Sequence, residues 1–373
     1  MSGKIPVAVL GATGAVGQRL VSLLGSHPWF ELAGLCASER SVGKSYLEAA
    51  RWLLPSPPPD FARWAKVLPC EPDARWQIAF SALDAGPALD IEEAFARAGA
   101  VVASNARSHR MRSDVPLVVP EVNPEHLGLA ELQPYGGRGA IITNPNCSTI
   151  GLVLALSPLA ERFGVESAAV TTLQAASGAG YPGMSSLDLV DNVVPLIGGE
   201  EEKLETEPRK ILGRLEGGRV AESGIRLSAT CTRVAVIDGH TLAVSVRLRS
   251  RAAREEVLEA WASWPGRVAG LGLPSAPERP LLYREEADRP QPRLDRDEGR
   301  GMTVVLGRLR ACPLADWKFV ALSHNTLRGA AGGTILLAEL AASRGLCGLK
   351  APGRPRRPRF TRSFPIDIIR TAL

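Results

Sequence analysis

The chain has no paired cysteines. Its six (36, 70, 147, 231, 312 and 347) form no Cys-x-x-Cys element and have no histidine at metal-ligand spacing. That excludes a zinc site and a disulfide framework, so reduced thiols and no metal are expected. Also missing is any apolar run near the roughly 18 residues that span a bilayer. The N-terminus passes from Lys4 directly into a glycine-punctuated motif instead of a leader core, so a cytoplasmic protein with no membrane partner is expected. No internal repeat is present. The net charge of +5 belongs to one end: between 350 and 373, Lys350 and six arginines face a single acid, Asp367, and the other 349 residues sum to −1.

What is present suits an ordinary soluble protein: 373 residues, 45% hydrophobic and 22% charged, enough for two domains with sizeable cores. Ile5-Pro6-Val7-Ala8-Val9-Leu10 has the pattern of a buried strand. It runs into Gly11-Ala12-Thr13-Gly14-Ala15-Val16-Gly17 and then a helical segment, Gln18 to Leu24. Strand, glycine turn and helix in that order are the context of a dinucleotide site, where small residues let backbone approach a pyrophosphate at a helix N-terminus. The spacing is G-x-x-G-x-x-G, and a purely steric turn has the same appearance. The next strand, Glu31 to Ala37, ends in Ser38-Glu39-Arg40-Ser41. Ser38, Arg40 and Ser41 suit the 2′-phosphate of NADP, while Glu39 and a plain solvated loop argue the other way.

Further units alternate: strand Trp76 to Ser81, helix Pro87 to Ala98, strand Ala100 to Ser104. The alternation predicts an α/β fold with a doubly wound parallel sheet. Ser104 to Met111 then follows a strand's carboxyl end, where such sheets bind ligands. Pro55 to Pro59 reads as a stiff connector.

Asn144-Pro145-Asn146-Cys147-Ser148-Thr149 lies between a short strand, Ala140 to Thr143, and a helix-period segment, Ile150 to Phe163. Ser148 and Thr149 are suitable caps, and the start of a helix both activates a thiol and stabilises an oxyanion. Cys147 is therefore a candidate nucleophile, although an isolated cysteine is as often a small buried hydrophobe. Beyond it come strand-like Ala168 to Gln174, a glycine-rich loop from Gln174 to Gly183, and a charged amphipathic helix over 201–214. Leu227 to Val236 and Leu242 to Leu248 look like adjacent antiparallel strands joined near Asp238-Gly239-His240. Strands at Thr303 to Leu309 and Lys318 to Ser323 precede an Ala-rich helix, Thr326 to Arg344, expected to pack back on the first domain.

Together these segments resemble the aspartate-β-semialdehyde dehydrogenase family, in its archaeal and fungal branch. The matching pieces run in family order from Gly11–Gly17 through Ser104–Met111, Val119–Asn123, Asn144–Thr149, Gln174–Gly183, Gly199–Lys203, Arg233–His240, Arg289–Asp295 and His324–Gly332. The resemblance implies an N-terminal Rossmann-type NADP-binding domain, 1–147, completed by a C-terminal helix at 326–345. It implies an α+β catalytic and dimerisation domain with a mixed sheet, 148–325; the basic tail from 350 to 373 lies outside it. The implied reaction is NADPH-dependent reduction of β-aspartyl phosphate to aspartate semialdehyde and phosphate, in amino-acid biosynthesis. By resemblance Cys147 is the nucleophile, His240 the acid/base and Gln174 the residue orienting the acyl intermediate. Arg233 and Glu200 would bind the substrate carboxylate and ammonium, and Arg110, Asn146 and Lys203 the phosphate. Gly11, Thr13, Gly14, Ala15, Val16, Ser38, Arg40, Ser41, Ser177, Gly178 and Asn325 match cofactor positions. A homodimer or homotetramer is implied.

The residue types suit that chemistry. A thiolate can attack an acyl phosphate, imidazole works near neutral pH, Arg grips a carboxylate bidentately, and Lys meets phosphate as a point charge. Each also has a plainer reading: His240 as a turn residue, Arg233 as an ion-pair partner, Glu200 to Lys203 as a solvated helix start. A sister reductase acting on N-acetylglutamyl phosphate or malonyl-CoA shares the scaffold. A reading of another class, RNA or anion binding through the arginine tail, is weakened by Pro352, Pro355 and Pro358 and by the lack of a nucleic-acid fold.

Overall fold

The computed structural model describes residues 3–352, so all but the first residues of the basic tail lie outside it. A five-stranded parallel sheet is built from β1 (Ile5–Leu10), β2 (Phe30–Cys36), β3 (Ile78–Ser81), β4 (Val101–Ser104) and β5 (Ala140–Thr143), in the order β2-β1-β3-β4-β5. Its strands are apolar on both sides because both sides are covered. Along β1, Val7 and Val9 join one core while Ala8 and Leu10 join another. Helix α1 (Ala15–Leu24) covers the first face, and α2 (Ala85–Arg97) sends Phe95 and Ala96 into the second.

Helix α3 (Cys147–Phe163) leaves β5 and enters a second core, followed by β6 (Val165–Gln174) and α4 (Glu200–Ile211). A small hairpin, β7 (Arg214–Glu216) and β8 (Arg219–Ala221), precedes β9 (Arg226–Arg233), β10 (His240–Leu248) and α5 (Arg254–Ser263). The remaining strands are β11 (Leu281–Arg284), β12 (Val304–Ala311) and β13 (Trp317–Ser323). The second sheet is mixed, ordered β11-β12-β13-β10-β6-β9, with β6/β9 and β11/β12 parallel. Here one expectation fails. The strands near 227–236 and 242–248 do not pair with each other, because β6 is inserted between them, antiparallel to β10 and parallel to β9. β9 is instead the edge strand, and α4 covers that edge: the amides of Ala229 and Cys231 donate to Glu205 and Glu201 at 2.9 and 3.1 Å.

One face of this sheet packs on α3 and α5, where the indole of Trp261 donates to the Ala155 carbonyl at 2.9 Å. The other presents Thr171, Ala169 and Ala243 to solvent. The chain then returns. A single π-turn, Leu327–Ala331, opens α6 (Gly332–Ser343), which is buried from Gly332 to Ala342 in the core of the first sheet. Its one buried acid, Glu339, is satisfied by His27 Nε2 at 2.8 Å and the Ser275 amide at 3.0 Å. Val268, Leu273 and Met302 from the second half also join that core, so the chain crosses between cores more than once.

Candidate active site

Three carboxyl ends converge beside the start of α3. Its cap is Asn146, not Ser148 or Thr149: the Asn146 Oδ1 accepts from the amides of Ser148 and Thr149 at 2.9 and 3.4 Å. The two hydroxyls are buried inside the first turn without hydrogen-bond partners among the described residues. An N-cap oxygen must precede the amides it serves, and only residue 146 does. Cys147 is thus the first residue of the helix, half-buried, at the positive end of the dipole.

The end of β6 brings Gln174 and the start of β10 brings His240. The sulfur of Cys147 lies 3.1 Å from His240 Nε2. On the other side of the ring, the Ala175 amide donates to Nδ1 at 3.0 Å. Burial drives the thiol up to about 12, with Glu200 adding to the effect and Arg110, Arg233 and Lys203 opposing it. Burial likewise drives the imidazole down to about 3, reinforced by Arg233. Both effects favour the uncharged thiol and the uncharged imidazole.

Arg233, the last residue of β9, donates Nη1 to the Ala175 carbonyl at 2.8 Å and is 4% exposed. Among the described residues no carboxylate forms an ion pair with it. A buried guanidinium in that state awaits an anion, since an unpaired buried charge is costly. Gly178 makes room for this arrangement: a Cβ there would lie 2.6 Å from Arg233 Nη1 and 3.1 Å from the His240 ring.

Helix α4 supplies a polar face at i, i+3, i+7 and i+10: Glu200, Lys203, Glu207 and Lys210. Glu200 accepts from Asn146 Nδ2 (2.9 and 3.0 Å), Gln174 Nε2 (3.2 Å) and Lys203 Nζ (2.6 Å). Burial works against its ionisation, but the Lys203 ammonium and these bonds hold it below the usual carboxylate range. Glu207 accepts from Arg110 Nη1 at 2.9 Å and from the Asn146 amide at 2.7 Å. Lys210 donates to the carbonyls of Arg110, Arg112 and Val115, each at 2.7 Å, and so fixes the loop that carries Arg110. Among the described residues the buried Nε of Arg110 has no hydrogen-bond partner, an orphan donor beside the nucleophile loop. The sequence reading overlooked Glu207 and Lys210, whose signal was the three-and-four spacing from Glu200.

The glycine turn has the geometry its spacing suggested. Gly11 adopts φ +75, and a Cβ on Gly17 would sit 2.1 Å from the Gly11 carbonyl oxygen. Gly14 is the N-cap of α1, followed by Ala15 and Val16, with Thr13 just before it. Beside the turn lies a cleft of about 290 Å³ lined by Ala15, Arg19, Ser177, Gly180, Tyr181 and Asp238, among others. Ser38 and Arg40 are exposed past the end of β2, with Ser41 half-buried. Asn325 accepts from the Gly239 amide at 2.9 Å and donates to Ser177 Oγ at 2.8 Å, tying the cleft wall to the approach to His240.

The family model described as semialdehyde dehydrogenase, NAD binding domain, matches residues 6–130, and its dimerisation domain matches 156–328. An aspartate-semialdehyde dehydrogenase from Archaeoglobus fulgidus is 51% identical over 342 residues, covering 90% of this chain and 98% of the relative. The Saccharomyces cerevisiae enzyme of that name is 45% identical, covering 93% and 100%. The chain belongs to the aspartate-semialdehyde dehydrogenase family. The crystal structure of the Candida albicans member with NADP superposes with a TM-score of 0.85 at 45% identity, covering 91% of this chain and 99% of that one. That of aspartate semialdehyde dehydrogenase II complexed with ASA, from Vibrio cholerae, gives 0.73 at 29%, covering 91% and 98%. Within the family's two-part fold, the Cys147–His240 pair lies between the parallel sheet and the mixed one. No helix among the described residues is long and apolar enough to cross a membrane.

Proposed function

We propose that this chain reduces β-aspartyl phosphate to aspartate semialdehyde and phosphate, using NADPH and a thioester on Cys147. The observation that carries the reading is a helix-start thiol 3.1 Å from an imidazole, with an unpaired buried guanidinium, Arg233, alongside. Arg233 takes the substrate carboxylate and Glu200 its ammonium, a combination suited to a free amino acid and not to a CoA thioester. Arg110, with its orphan Nε, receives the phosphate; Lys203 and Asn146 join it by exchanging their bonds to Glu200 for bonds to the anion. Gln174 orients the acyl group. The glycine turn fits a dinucleotide, because its backbone is open at Gly14 and the helix amides of α1 stand free above it. Gly11, Thr13, Gly14, Ala15 and Val16 would hold the pyrophosphate, Ser38, Arg40 and Ser41 the 2′-phosphate, and Ser177, Gly178 and Asn325 the nicotinamide side. NADPH supplies the hydride when bound.

The division of labour we assign runs along the chain: 1–147 with the helix at 326–345 for the cofactor, and 148–325 for catalysis and self-association. The small, exposed side chains of Ala169, Thr171 and Ala243 suit sheet-to-sheet packing between two copies. A coupled assay tests the reading. Purified protein should consume NADPH with β-aspartyl phosphate, and comparable turnover of malonyl-CoA or N-acetylglutamyl phosphate would sink it.

A further inference from the structure

We propose that Glu207 is a positioning residue: its carboxylate ties the guanidinium of Arg110 to the backbone just ahead of Cys147, and so sets the spacing between phosphate and nucleophile. This rests on the reaction proposed above. Glu207 Oε1 accepts from Arg110 Nη1 at 2.9 Å, and Oε2 accepts from the Asn146 amide at 2.7 Å. The side chain is 2% exposed and each oxygen is engaged by the protein, so Glu207 acts through these two partners and not on substrate.

Arg110 is held at both of its ends. The carbonyl of Asn105, just past β4, accepts from its Nη2 at 2.6 Å, and Lys210, one turn beyond Glu207 on α4, donates to its own carbonyl at 2.7 Å. With Nη1 and Nη2 both anchored the guanidinium plane cannot turn, and Nε is left as the donor without a partner among the described residues. Asn146 is held just as firmly. Glu200, two turns before Glu207, accepts from its side-chain amide at 2.9 and 3.0 Å, while its Oδ1 caps α3. Helix α4 therefore fixes the residue before the nucleophile at two points about 10 Å apart along its axis, and one of those points also holds Arg110.

Acyl transfer needs that fixed spacing. The sulfur must come within about 3–3.5 Å of a carbon that is one bond from the phosphoryl oxygen, so a guanidinium free to swing would hold the phosphate at the wrong distance from Cys147. A bare counter-charge is a different role with the opposite signature. Removing a negative charge beside an anion site strengthens anion binding, whereas loosening Arg110 weakens it.

Protection of Cys147 from iodoacetamide by inorganic phosphate separates the two roles without requiring turnover. In the full-length protein, with Cys147 followed among the six cysteines by peptide mass spectrometry, phosphate should slow its alkylation. Glu207→Asp keeps the charge but shortens the reach by one methylene, so it cannot span both donors. Glu207→Gln fills the same volume but turns an NH2 toward one of two N–H donors. Both variants should raise the half-protecting phosphate concentration at least ~10-fold and leave dinucleotide affinity unchanged. In the oxidation of aspartate semialdehyde the KM for phosphate should rise by the same factor while that for NADP holds. Should Glu207→Asp fail to fold, the isosteric Gln variant carries the test alone. Unchanged or tighter phosphate binding in Glu207→Gln overturns the proposal, as does an equal loss of phosphate and dinucleotide binding, which marks a general folding defect. Absence of any protection in the parent overturns it too. If the parent fails to reduce β-aspartyl phosphate, yet phosphate shields Cys147 and the variants lose that shield, the substrate reading fails and the role of Glu207 stands.

Discussion

At the scale of single residues, the site is defined by which buried polar groups have partners and which do not. Glu200 and Glu207 each bind two or more donors, whereas among the described residues the Arg233 side chain bonds only the Ala175 carbonyl. A folded protein retains such an uncompensated guanidinium when a ligand completes it. Lys at this position keeps the charge and loses the planar fork, so the acyl carbon should shift relative to sulfur. A displacement of about 1 Å costs roughly a hundredfold in rate. Arg233→Lys is thus expected to lower kcat/KM for β-aspartyl phosphate by about that factor, while alkylation of Cys147 by a small reagent stays near the parent rate. Retention of kcat/KM would mean the carboxylate is held elsewhere.

At the scale of elements, helix starts and turns aim these residues. The π-turn before α6 places Gly329 against the nucleophile: a Cβ there would lie 2.5 Å from Cys147 Cβ. Neither side can yield, since one is a helix start and the other a buried turn. Gly329→Ala should therefore push Cys147 off its line to His240, lowering kcat by at least ~10-fold with little change in cofactor affinity. Dinucleotide titration alongside steady-state kinetics separates the two effects.

Helix α2 carries a different kind of strain. Glu92 is fully buried, with Ser104 Oγ donating to it at 2.7 Å and His109 Nε2 lying 3.5 Å from its other oxygen without a hydrogen bond. Burial raises its carboxyl from 4.5 to about 7, against the bonds from Ser81 and Ser104 and the charge of Arg110. Between those values the folded state binds more protons than the unfolded one, so stability falls as pH rises from 4.5 to 7 and then levels. The loss amounts to at most roughly 3 kcal/mol. Glu92→Gln removes the titration. Its Tm relative to the parent should rise between pH 4.5 and 7 in thermal melts, and a constant difference would show that Glu92 does not titrate in this window.

At the scale of the whole molecule, two sheets meet at the start of α3, and α6 returns to bury itself in the first core, so neither half is complete without the other. Among the described residues, one face of the mixed sheet stands open at Ala169, Thr171 and Ala243. If two copies meet there, Thr171→Arg should shift the protein toward monomer in sedimentation or light scattering, because an uncompensated charge at an interface centre is costly. An unchanged mass would direct the search for the interface elsewhere.

Short-range pattern was enough to read the parallel sheet, the glycine turn and a cysteine between strand and helix, since each depends on neighbours within a dozen residues. The order of the second sheet was not, because nothing local says that β6 separates β9 from β10. Nor was the cap: Ser148, Thr149 and Asn146 are all good capping types, and only backbone direction selects Asn146. The polar face of α4 was present as spacing, but its meaning came from what it met, two loops more than 50 residues away in the chain. Cys147 and His240 were visible as types of residue suited to acyl transfer. Their 3.1 Å approach, and the contact of the Ala175 amide with the same ring, bring together residues 93 and 65 positions apart in the chain, and that only the tertiary structure decides.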